Sequence, residues 1–283
     1  MPKLSDHQSN EFTKLLLTGD SGSGKSGALA SLVKAGYKLR ILDMDNGLDP
    51  LKTFVLKECP QFIDNVEFCT LRDNVVTTAA GPKVTKPKAF VSAMKMLDNW
   101  KYDDIDLGKP SEWGPEVIFV LDSLSFFSDA AFDWAESMNP TAKDPRQWFY
   151  SAQQAVESAL ALLTSGSFRT NVIVSAHVRY NDNPDGTKKG YPNAIGSALG
   201  PTIPRYFNHW AQCTNKAGKR TIQTAATSMF DLKNTKPFEM ATTYDLSTGL
   251  AEFFAVLREP PVKEVATAPT VVAKPKALTL KRI

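Results

Sequence analysis

The chain has 283 residues, of which 42% are hydrophobic, and a formal charge of +3. That is enough apolar material for a packed core, and no apolar run approaches the roughly 18 residues a membrane span requires. Cys59, Cys69 and Cys213 are too widely spaced for a CxxC pair and odd in number, which excludes a disulfide framework and a cysteine metal knuckle. The polar start Met1 to Asn10 lacks the apolar centre of a signal peptide, so a cytoplasmic protein is expected. Residues 258–283 carry +4, leaving −1 on residues 1–257, so the body is not a basic slab for polyanions.

In chain order, residues 1–11 are polar and aperiodic and are expected to be disordered. Lys14 to Thr18 is a short apolar strand, followed by a helix over Lys25 to Lys34. Strands follow at Lys38 to Leu42 and Val66 to Cys69, a helix at Lys88 to Trp100, and a strand at Val117 to Leu121. Helices at Ser125 to Ser137 and Pro145 to Leu163 precede a strand at Asn171 to Ser175. The turn formers Asn181-Asp182-Asn183-Pro184-Asp185-Gly186 begin a surface loop reaching Pro192. Phe207 to Thr214 and Arg220 to Ala225 read as a hairpin. Residues 258–283, rich in Pro, Ala, Val, Thr and Lys, are expected to form a disordered basic tail. Strands without strict alternation, interleaved with helices, predict one α/β domain over residues 12–257: a mostly parallel doubly wound sheet, flanked by helices and extended by a C-terminal antiparallel hairpin.

Gly19-Asp20-Ser21-Gly22-Ser23-Gly24-Lys25-Ser26, followed by Gly27, fits G-x-x-x-x-G-K-[ST]. By chance such a match arises in about one chain in a hundred of this length. Its glycines let backbone N–H groups curl inward around phosphate oxygens at a helix N-terminus. Lys25 is then expected on the β and γ phosphates of ATP and the Ser26 hydroxyl on Mg²⁺. The partner carboxylate for the metal is Asp122, leaving the C-terminal end of the strand Val117 to Leu121. A group to position or deprotonate water is expected in Leu42-Asp43-Met44-Asp45, where i and i+2 spacing turns Asp43 and Asp45 toward the nucleotide.

The order of P-loop, Ile41-Leu42-Asp43-Met44-Asp45-Asn46-Gly47-Leu48-Asp49-Pro50, Val117 to Ser123, and Val172-Ile173-Val174-Ser175-Ala176-His177 resembles the RecA-type ATPase core over residues 13–240. The resemblance implies that Asp45 stands where the family has its catalytic glutamate, one methylene shorter. It also implies that His177 is the γ-phosphate sensor, and that the loop after it, with Arg179, Tyr180, Lys188, Lys189 and Tyr191, faces DNA. Cations and aromatics together suit a single strand. Asp231 to Phe238 resembles the stretch that supplies lysines to a neighbouring subunit's site, here Lys233 and Lys236, with Arg205 and Arg220 as weaker candidates.

More narrowly, Leu17 to Lys25, Ser175-Ala176-His177 and Pro204 to Asn208 resemble the phage-encoded RecA-like ATPases of the Sak single-strand annealing group. This implies an ATP- and Mg²⁺-dependent protein that binds and anneals single-stranded DNA in phage recombination in the bacterial host. It would act as a homo-oligomeric ring or filament, with a phage single-strand binding protein as a further partner and no membrane. From the residues alone, a small-molecule or nucleotide kinase and a nucleotide-gated adaptor with little hydrolysis remain alternatives.

Overall fold

The computed structural model describes residues 11–79, 81–183 and 185–258; the tail beyond residue 258 and residues 1–10, both expected to be disordered, lie outside the described residues. At the margins, Glu11 pairs with Arg169 at 3.4 Å, and Arg258 lies over the Tyr37 ring.

The strands of interest are β1 (Lys14–Gly19), β2 (Lys38–Asp43), β3 (Val66–Thr70), β4 (Gly114–Asp122), β5 (Thr170–Ala176), β6 (Val178–Asp182), β7 (Lys188–Pro192), β8 (His209–Lys216), β9 (Lys219–Gln223) and β10 (Thr243–Asp245). The central sheet runs β10-β9-β8-β1-β5-β4-β2-β3. Its middle is parallel, and β9 and β10 add antiparallel strands at one edge, as expected from the sequence. The helices are α1 (Lys25–Ala28), α2 (Ala30–Lys34), α3 (Asp49–Glu58), α4 (Ala89–Asp98), α5 (Leu124–Met138), α6 (Arg146–Thr164) and α7 (Gly249–Arg258).

The apolar runs lack alternation because both faces of the sheet are covered. Leu16 of β1, Phe119 and Leu121 of β4, and Val172 and Val174 of β5 face α4, α5 and α6. Leu15 and Leu17, Leu39 and Ile41, and Ile118 and Val120 face α1, α2, α3 and α7. Successive side chains of one strand thus feed two cores, which fixes register, since a one-residue slip would exchange them.

Several elements differ from expectation: α3, β10 and a small hairpin over residues 75–84 were not placed, and two further differences stand out. Residues 181–192 are not an irregular loop: β6 and β7 pair antiparallel from Val178 opposite Pro192 to Asp182 opposite Lys188. Of the turn formers, Asn181 and Asp182 pair within β6, and Asn183, Asp185 and Gly186 lie at the tip. The hairpin is docked through Gly190, whose N–H donates to the Met229 carbonyl at 2.9 Å. A side chain at 190 would collide with Phe230, so glycine permits this approach. The second difference is α7, for which no helix was expected. Leu250, Phe253, Phe254 and Leu257 at helical spacing pack it against the sheet.

Candidate nucleotide site

The P-loop leaves β1 at Gly19 and enters α1 at Lys25, with Gly22 at φ 76° and Gly24 at φ 101°, where a side chain is strained. Gly19 is required for space, because a Cβ there would lie 2.7 Å from the Cys213 carbonyl oxygen. Lys25 Nζ folds back to donate to the carbonyls of Gly19 at 2.9 Å and Asp20 at 3.3 Å. Burial holds its pKa below the ordinary lysine value, opposed by the charges of Asp122, Asp45 and Asp20.

Asp122 ends β4 beside β5 and is 1% exposed. Both its oxygens are engaged. Ser26 Oγ donates to Oδ2 at 2.8 Å, and Ser175 Oγ donates to Oδ1. Burial raises the Asp122 pKa, against the two serine hydrogen bonds and the Lys25 charge. Deep burial and the two hydroxyl donors suit a carboxylate that meets a divalent cation. Among the described residues, no group of three His, Cys, Asp or Glu side chains is placed to hold a metal by itself. Ser26 and Asp122 are therefore the protein atoms that fit a magnesium ion completed by phosphate and water oxygens.

Asp43 and Asp45 diverge. β2 ends at Asp43, and the chain bends through Met44 and Asp45, so period-two spacing no longer applies. Asp43 does not line the P-loop cavity: its carboxylate accepts from Thr70 Oγ1 and the Asn46 N–H, both at 2.8 Å. Asp45 faces the P-loop, and its Oδ1 is buried without a hydrogen-bond partner. Such an orphaned oxygen is costly unless a ligand or water serves it.

His177 follows β5 and lies between Asp45 and Lys25. Its Nδ1 is 3.4 Å from Lys25 Nζ and its Nε2 is 3.9 Å from Asp45 Oδ2. The Ser125 hydroxyl oxygen accepts from its backbone N–H at 3.1 Å and fixes the strand end. Lys25, Ser26, Asp45, Asp122 and His177 thus share one cavity of about 270 Å³, walled also by Gly22, Gly24, Gly27 and Phe54. Asp20, Ser21 and Ser23 complete the loop; Ser23 Oγ is buried without a partner.

Sequence reasoning did not place Phe54, Leu246 or Arg220 here. Arg220, a weaker candidate for a neighbour's site, lines its own chain's cavity and donates from Nε to the Gly22 carbonyl at 3.2 Å. Its distance in sequence from Gly22 left no local signal. The segment after β2 serves two cavities: Asp45, Gly47 and Pro50 wall the nucleotide cavity, while Asn46, Leu48 and Asp49 wall a separate groove.

The hairpin residues lie beside this site. Tyr180 Oη donates to the Asp20 carboxylate at 3.1 Å, so the hairpin and P-loop are joined. Arg179 donates to the Gly196 carbonyl at 2.8 Å, Lys188 pairs with Asp182 at 3.5 Å and Lys189 with Asp231 at 2.6 Å. Tyr191 is half-buried. The remaining cations, Lys233, Lys236 and Arg205, do not line the cavity of their own chain. Lys233 bonds by its backbone to Trp210, level with Leu16 of β1. Lys236 donates to the Val256 carbonyl at 2.8 Å and pairs with Glu239 at 3.2 Å. Arg205 pairs with Glu157 at 2.8 Å.

No curated protein matches the sequence. Among solved structures, the RadB recombinase superimposes with a TM-score of 0.46 at 14% identity, over 84% of this chain and 89% of that one. A prototypical ATPase from the type III secretion system of pathogenic bacteria gives 0.41 at 12% identity, and the 71% of this chain that aligns spans 52% of that protein. The family model described as AAA domain matches residues 11–236, most of the chain and all of the cavity's P-loop, Asp45, Asp122 and His177. The chain belongs to this AAA domain family and is a nucleotide-binding P-loop ATPase.

Proposed function

We propose that the protein hydrolyses ATP with Mg²⁺ and couples that reaction to single-stranded DNA, as an oligomeric annealing or recombination protein of phage type. The observation that carries this reading is the hairpin Val178–Pro192, which continues directly from His177 and is tied to the P-loop through Tyr180 and Asp20. Tyr180 and Lys188 share one face of that hairpin and Arg179 and Lys189 the other, so a single strand would meet cations on both sides of it. Tyr180 is 40% exposed, and its ring, packed edge to face with Phe230, would serve as the platform for a base.

Ser26 and Asp122 would hold the magnesium ion, which when bound neutralises phosphate charge. Lys25 would exchange its two backbone carbonyls for phosphate oxygens, which demands only a small swing of a side chain already aimed into the loop. Asp45 would accept a proton from the attacking water as the new P–O bond forms and the bond to the ADP oxygen breaks. His177 would donate to a γ-phosphate oxygen and report its presence to β6. Lys233 or Lys236 of a neighbour would add positive charge. The test is steady-state ATP hydrolysis with and without single-stranded DNA. Stimulation by the DNA is expected; a rate indifferent to DNA, together with no DNA binding, removes the reading.

A further inference from the structure

In the reading above, five side chains of the nucleotide cavity have work assigned: Lys25 on phosphate, Ser26 and Asp122 on magnesium, Asp45 on water and His177 on the γ-phosphate. What remains of the lining is Pro50, Phe54, Leu246 and Arg220, with four glycines. Of these, Arg220 alone has a polar side chain, and a guanidinium donates hydrogen bonds without accepting any. Its Nε donates to the Gly22 carbonyl at 3.2 Å, and among the described residues its terminal nitrogens have no hydrogen-bond partner.

Sheet order decides which end of the nucleotide meets them. Asp122 ends β4 and His177 follows β5, on one side of β1, whereas Arg220 lies on β9 and Leu246 just past β10, on the other side. A triphosphate laid along the P-loop with its γ end at His177 therefore carries its base and sugar toward Arg220 and Leu246. Two glycines let apolar side chains close on the start of α1. A Cβ on Gly24 would lie 2.6 Å from Leu246 Cδ2, and one on Gly27, which the P-loop motif does not demand, 2.9 Å from Phe54 Cε2. The Arg220 stem passes the same spot, its Cδ 3.1 Å from that Gly24 position. The Leu246 N–H donates to the Arg220 carbonyl at 3.4 Å, which ties the two together.

We propose that the base of the nucleotide stacks on the Arg220 guanidinium and packs against Leu246 and Phe54, and that this contact does not select adenine, so the chain turns over GTP as well as ATP. This rests on the hydrolytic reading above and names its substrate class. Adenine differs from guanine at the ring edge, where it donates from an amino group in the place of a carbonyl acceptor. Among the described residues, no side chain left at this end of the cavity can accept from that amino group. A guanidinium plane and apolar side chains meet the faces of a base, and every base has such a face. Strong discrimination, of roughly 10⁴ or more, requires buried polar groups that the wrong substrate leaves unpaired, and these side chains supply none.

The experiment uses the full chain with Mg²⁺. ATP and GTP are expected to give kcat/KM values within about tenfold of each other. Arg220→Ala should raise KM for both by about tenfold or more with kcat within a few-fold, because a stacked base is bound alike in the ground and transition states. Arg220→Lys keeps the charge and loses the plane, so it should match the alanine variant. Inorganic tripolyphosphate, which has neither base nor sugar, should inhibit wild type and both variants with the same constant. A larger preference for ATP overturns the lack of selection. An unchanged KM in Arg220→Ala, full recovery in Arg220→Lys, or a tripolyphosphate constant that rises with KM overturns the contact, the last by placing Arg220 on the phosphates or the loop. A wild-type chain that hydrolyses neither nucleotide overturns the hydrolytic reading itself, and the substrate class with it.

Discussion

Lys25 Nζ and His177 Nδ1 lie 3.4 Å apart beyond the ends of the adjacent strands β1 and β5, so the P-loop lysine and the residue at the root of the hairpin are direct neighbours. Their roles separate by mutation. Lys25→Ala is expected to abolish measurable ATP affinity, read by equilibrium binding of a fluorescent analogue. His177→Ala should leave affinity within a few-fold of wild type but lower kcat by roughly a hundredfold, the scale of one lost donor to developing charge.

Asp45 and Asp122 should fail differently. Asp45→Asn keeps the shape of the side chain and removes its proton-accepting capacity. Hydrolysis should fall by about 10² or more with nucleotide affinity preserved. Asp122→Asn places an amide between two hydroxyl donors, so magnesium dependence should shift to higher concentration, measured as the Mg²⁺ needed for half-maximal rate.

The Tyr180–Asp20 contact predicts a split between binding and coupling. Tyr180→Phe retains the ring and loses the hydroxyl, so single-strand affinity should persist while DNA stimulation of hydrolysis declines. Tyr180→Ala should also weaken single-strand binding by about tenfold or more, as loss of one stacking platform implies. Fluorescence anisotropy beside the ATPase rate distinguishes the two.

His209 supplies a pH test of stability. Burial, aided by the charge of Lys233, lowers its pKa from 6.5 to about 4. The unfolded chain therefore binds a proton more readily between those values, and stability is lost as pH falls through that window, by up to ~3 kcal/mol. Asp133 acts with the opposite sign, since burial raises its pKa from 3.8 to about 6 and stability falls there as pH rises. The difference between wild type and His209→Phe isolates the histidine. Urea denaturation at pH 7 and pH 4.5 should show a smaller loss of stability in the variant.

The layered sheet was legible because burial on both faces writes itself as uninterrupted runs such as Val117 to Leu121, and the P-loop because its glycines serve a single backbone shape. Asp122 could be placed because a strand end points one way. The divergence of Asp43 from Asp45 could not, because it depends on where β2 stops, and that is fixed by Thr70 on the neighbouring strand. The hairpin was hidden by its own tip, whose turn formers masked two five-residue strands. Helix α7 carried a readable i, i+3, i+4, i+7 pattern at Leu250, Phe253, Phe254 and Leu257 that nearness to the tail obscured. Arg220 and Leu246 enter the cavity only through tertiary folding, which no local pattern encodes.

Residues 45–50 look inward and outward in turn, and they do so at one margin of the sheet only. Alternate residues of one short peptide cannot be displaced independently, so whatever shifts one recess is felt in the other.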